Sequence, residues 1–144
     1  MRTSMVRYGR RRAKRIGQRG STLIESTMVL LSFAVLVGGM MEVGFAGMIS
    51  NSVSFAAQRA ARYASVRGSA SGHAATAADI QTVAQQYATP LSSGGLTTTV
   101  TWTPNNSPGS TVQVAVSYAI RPVILPLDAG TLTLTGTARQ LIVQ

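Results

Sequence analysis

The chain has 144 residues, 45% of them hydrophobic and 12% charged, with no cysteine and a single histidine, His73. That is enough for one small core and too little for two, and it leaves no raw material for a cysteine nucleophile, a Cys-ligated metal or a His-rich centre. Of the 13 basic residues, eight (Arg2, Arg7, Arg10, Arg11, Arg12, Lys14, Arg15, Arg19) precede residue 21 with no acid among them, so all but one unit of the formal charge of +9 belongs to an N-terminal leader, residues 1–20.

From Leu23 to Met41 the chain reads LIESTMVLLSFAVLVGGMM, with Glu25 its one charge. At helical rise this is about 28 Å, close to the hydrocarbon thickness of a bilayer, so residues 23–41 are expected to span a membrane. Basic residues crowd the near side of the segment and are missing just beyond it, which puts the N-terminus in the cytoplasm and the remainder outside. The expected location is the cytoplasmic (inner) membrane, single-pass. A cleaved secretory signal fits less well, because its apolar region is shorter. A nucleic-acid role for the leader is outweighed by the membrane segment directly behind it.

Glu25 needs a reason, since a carboxylate near the start of a span costs a few kcal/mol. It lies five residues after Gly20, in Gly20-Ser21-Thr22-Leu23-Ile24-Glu25. Cleavage after Gly20 would expose an α-amino group of pKa about 8 on Ser21. Two opposite charges a few residues apart, or on neighbouring helices, would neutralise each other in an apolar bundle and fix its register.

A basic leader, a glycine, a glutamate five residues on and an apolar helix together resemble the type IV pilin superfamily. The closer resemblance is to the TadE-like minor pilins (pseudopilins) of Tad/Flp tight-adherence pili, through GMMEVGFAG at 39–47, AAQRAARYASVRG at 56–68 and VQVAVSYAIRPVILPL at 112–127. The family commonly has an aromatic after the glutamate and a proline in the first turns, where this chain has Ser26 and Leu31. The resemblance implies a non-enzymatic pilus subunit cut between Gly20 and Ser21 by a membrane aspartyl prepilin peptidase. It implies that Glu25 guides entry into the Tad assembly platform, and that the partners are that peptidase, other pilin subunits and the lipid bilayer. It also implies a role in pilus assembly and adhesion. Major subunits are little more than the processed helix, so a head domain implies a minor subunit that primes or caps the fibre. A pseudopilin of a type II-like secretion machine and a single-pass anchored extracytoplasmic binding module are the alternatives.

Low charge persists through residues 43–58, and the next charges are Arg59, Arg62 and Arg67. One helix over 21–67 is therefore expected, about 70 Å long. Ala34, Gly38, Glu42 and Ala46 fall four apart on one face, and small residues at this spacing let helices approach closely in membranes. Tolerance of glycine in a span explains them equally well. Arg59 and Arg62 read as a solvated face.

Residues 68–78 form a small, polar linker in which His73 reads as a solvated loop residue. The head domain follows over 79–144. Thr76 and Asp79 spell a capping box for a short helix over 77–88, with Ile80, Val83, Ala84 and Tyr87 on one face and Pro90 as its stop. The period then becomes two: Leu96, Val100 and Trp102; Val112, Val114, Val116, Tyr118 and Ile120; and Leu132, Leu134, Ala138 and Ile142. Three antiparallel strands with one buried face follow, with PNNSPGS at 104–110 as a hairpin loop. That face should pack on the long and short helices, giving an α+β, pilin-like lollipop. The apolar stretch RPVILPL, Arg121 to Leu127, is expected to cover the chain's own core. The four acids Glu25, Glu42, Asp79 and Asp128 suggest no catalytic pair, and no P-loop or dinucleotide glycine pattern is present. Neither an enzymatic function nor a cofactor is expected.

Overall fold

The computed structural model describes residues 18–89, 91, 93–121 and 130–143. Most of the leader, Pro90, residues 122–127 of the apolar stretch and Asp128 lie outside them. The element order is α1 (Gln18–Ser65), α2 (Ala77–Tyr87), a 3-10 turn (Ser93–Gly95), β1 (Leu96–Thr103), β2 (Thr111–Ile120) and β3 (Leu132–Leu141). This is the α+β arrangement expected from the sequence. The chain divides into two compact units, residues 1–36 and 37–144.

In the second unit, α1 contributes Ile49, Val53, Ala56, Ala57, Ala60, Ala61 and Ala64 to the core, all fully or almost fully buried. Alanine favours the helix and adds little bulk, so the backbone of α1 comes close to what it packs on. The approach is close at Gly136 of β3, where a Cβ would fall 2.5 Å from both the backbone N and Cα of Ser54. Only glycine fits there.

The sheet has the order β1-β2-β3, antiparallel throughout, with Val114 opposite Val100 on one side and Ala138 on the other. Its inner face presents Leu96, Val112, Val114, Val116 and Ala138 to the core, with Val100, Trp102, Tyr118, Ile120 and Leu134 packed around them. Its outer face is largely polar: Thr97, Thr99, Thr101, Thr133, Thr135 and Thr137 are exposed, with Leu141 as an apolar exception at the end of β3. β-Branching suits these threonines to strands while the hydroxyls keep the face wet. The 104–110 hairpin loop is organised by Asn105, whose Oδ1 accepts from the Ser107 N–H at 3.0 Å and the Ser110 hydroxyl at 2.8 Å. Gly109 follows at φ +85°, a left-handed conformation that L side chains rarely adopt.

Several boundaries differ from the sequence expectation. α1 starts at Gln18 and ends at Ser65, short of Arg67. The chain turns there because the Val143 N–H donates to the Ser65 carbonyl at 2.9 Å and the Arg67 N–H to the Ala64 carbonyl at 3.1 Å, satisfying carbonyls the helix end leaves open. α2 carries the capping box at Thr76 and Asp79 but ends at Tyr87, closed by the Ala88 N–H on Ala84. It buries only Ile80 and Ala84, while Val83 is half-buried and Tyr87 is exposed. In β3, Leu132 is exposed at the strand's start and Ile142 is buried one residue past its end.

Candidate functional site

Residues 18–36 of the first unit are helical, and Gly20 through Leu36 are exposed, including Leu23, Ile24, Met28, Val29, Leu30, Leu31 and Phe33. A row of large apolar side chains facing outward all round a helix is the pattern of a membrane span. None of the most apolar stretch of α1 is covered by the chain itself, and the helix is long and apolar enough to cross a membrane.

Gly20 and Ser21 lie in the first turn of α1, two and three residues after its start at Gln18. A Cβ at Gly20 would meet nothing within 4 Å. Ser21 and Glu25 are four apart, so they share one face, one turn from each other, with Cβ atoms about 5–6 Å apart. Two hydroxyls follow on this part of the helix, Ser26 donating to the Thr22 carbonyl and Thr27 to the Leu23 carbonyl, each at 2.8 Å.

The four-residue row from Ala34 to Ala46 is divided by its surroundings. Ala34 is exposed, Gly38 is buried, and Glu42 and Ala46 are half-buried. From Gly38 onward the row runs in helical register into Ile49 and Val53, so it continues the face that the chain itself covers. The opposite face of the same helix carries Met40, Met41, Met48 and Phe55, all exposed, and Gly44 and Gly47, whose Cβ positions are open. Sequence reasoning missed this outward face. The alanine row from Ala56 to Ala64, extended backwards at 100° per residue, marks the inward side and could have found it.

Arg59 is more than a solvated charge. Its guanidinium carbon lies 5.0 Å from the Phe55 ring centre and 5.6 Å from that of Tyr87, and the two rings meet edge to face at 6.0 Å. This cation–π cluster ties α2 to α1. Arg67 stacks at 4.3 Å on Tyr63 and donates to its hydroxyl. His73 is exposed and borders an open hollow with Val66, Arg67 and Ser71. Asp79 is held below the usual carboxylate range by the Thr76 hydroxyl and backbone N–H, helped by the Arg67 charge. Among the described residues, no three His, Asp or Glu side chains gather into a metal site.

Residues 20–62 match the family model described as TadE-like protein. The match begins at the glycine of the first turn, takes in the exposed apolar helix and its Ala/Arg-rich continuation, and includes none of the sheet. The resemblance drawn from the sequence is thus shown over residues 20–62. No curated protein and no solved structure was found to match the chain.

Proposed function

We propose that this chain, TadE-like over residues 20–62, is a membrane-inserted prepilin, a non-enzymatic minor subunit of a bacterial Tad pilus. The observation that carries this reading is the coincidence of the family match with an exposed apolar helix whose first turn holds Gly20, Ser21 and, one turn on, Glu25. A membrane prepilin peptidase removes the leader between Gly20 and Ser21. The new α-ammonium then stands one helical turn from the Glu25 carboxylate, on the same face. Each charge is costly alone in an apolar setting, and each offsets the other when α1 enters a bundle of pilin helices at the assembly platform. The head domain outside the inner membrane is the part free to meet other subunits or a surface, which gives the subunit its role in pilus assembly and adhesion.

The test is the intact mass and N-terminal sequence of the protein from native membranes, in strains with and without the prepilin peptidase. A peptidase-dependent start at Ser21 is expected. An uncut chain in both strains would sink the pilin reading and favour the plain membrane-anchored binding module. With cleavage established, Glu25→Ala should be cut normally and be absent from sheared pili; its normal incorporation would remove the charge-pairing role.

A further inference from the structure

The Gly20–Ser21 bond lies inside a helix, and we infer that opening of the first turns of α1, residues 20–27, controls how fast the leader is removed. This inference rests on the proposed cut site. In hydrolysis the oxygen of water bonds to the Gly20 carbonyl carbon and the C–N bond to Ser21 breaks. Both of water's protons end on the Ser21 nitrogen, leaving a Gly20 carboxylate and a Ser21 ammonium. α1 starts at Gln18, so the carbonyl to be attacked is helical, its oxygen accepting from the N–H four residues on, at Ile24. In that state its carbon is screened by the next turn, and the oxygen is already engaged. The bond becomes a substrate when the turn opens.

The local sequence makes opening easy. Space does not demand a glycine at position 20, since a Cβ there would touch nothing within 4 Å, and Gly20 is not among the positive-φ glycines. What glycine does supply is a weaker helix. The adjacent Ser26 and Thr27 hydroxyls both bond back to carbonyls one turn earlier, Thr22 and Leu23, a competition that loosens helical turns. No acidic residue stands in the first turn to steady its positive end. The same back-bond recurs at Ser32 on the Met28 carbonyl, but in residues 20–27 two of them coincide with a glycine and with the start of the helix.

The test uses the full chain in membranes with its peptidase, following leader loss by pulse-chase and the cut position by intact mass. Gly20→Ala should slow cutting about fivefold, the ratio set by the difference in helix propensity between Gly and Ala. Adding Thr27→Gly should recover the rate. Ser26→Ala with Thr27→Ala, which leaves both residues of the cut bond intact, should also slow it. Unchanged cutting of the double alanine variant, or failure of Thr27→Gly to restore Gly20→Ala, would overturn the inference. Amide exchange on the purified uncut chain gives an independent readout. The Ile24 and Glu25 N–H groups should exchange at least about tenfold faster than those of Met28 to Leu31; equal protection would count against opening. If the wild-type chain is never cut at Ser21, the prepilin reading itself fails. If it is cut but the variants keep its rate, only the opening step falls.

Discussion

At the scale of single residues, Gly136 has the least room of the described glycines. Any Cβ there would overlap the backbone of Ser54 and Val53, and a helix backbone cannot swing aside as a side-chain tip can. Gly136→Ala should therefore destabilise the domain by about 3 kcal/mol, the upper range for overpacking. Thermal unfolding of the purified full chain would register it, with the exposed Thr137→Ala as a control that should change little; equal melting of the two variants would contradict the close approach. Thr98 offers the opposite case. Its Oγ1 is buried without a hydrogen-bond partner. Thr98→Val keeps the shape and removes the stranded hydroxyl, so it should raise stability by about 1 kcal/mol. A fall in the unfolding midpoint would show that the hydroxyl is satisfied after all.

At the scale of elements, α2 is an eleven-residue helix that depends on its start. Thr76 accepts from the Asp79 N–H while the Asp79 carboxylate accepts from the Thr76 N–H and hydroxyl, so two open donors of the first turn are met reciprocally. Thr76→Ala should cost about 1 kcal/mol. The pH response follows from Asp79: its pKa is lowered in the folded state, so its contribution is complete above the unfolded carboxylate value and is lost as pH falls through the folded one. Amide protection at Ile80 and Ala84 should thus drop on acidification from about pH 5 to pH 2, and Asp79→Asn should flatten that response. The capping box was legible because it is local chemistry at fixed spacing, as was the period of two in β1, β2 and β3. The end of α1 was not, because Val143, far along the chain, supplies the hydrogen bond that closes it. Nor was Gly136, since a glycine in a strand pattern does not name the backbone that presses on it. The Ala34–Gly38–Glu42–Ala46 row was visible as a row, but its surroundings depend on tertiary packing that spacing alone does not carry.

At the scale of the whole molecule, the sequence distributes charge and apolarity so unevenly that each part has a distinct expected solvent. Eight basic residues precede residue 21, whereas from there to the C-terminus five basic residues face four acidic ones. At the head of the second region, α1 exposes Leu23 to Leu36 without cover from the chain. A helix of this kind gains by moving its side chains from water into hydrocarbon, while each leader cation is held back on the side where synthesis placed it. The outer face of the sheet is mostly threonine, with Arg139 on Gln113 and Leu141 towards the end of β3, which suits a domain that remains in water. Together these properties predict a cytoplasmic N-terminus and an exported C-terminus. An alkaline phosphatase fused after Gln144 should therefore be active and a β-galactosidase at the same point inactive. Replacing Arg10, Arg11, Arg12, Lys14 and Arg15 with asparagine should reduce the phosphatase signal and raise the other, because most of the charge difference that fixes direction is removed. An inactive phosphatase fusion to the unaltered chain, with full-length product present, would place the head domain inside the cell and remove it from any role in an external fibre.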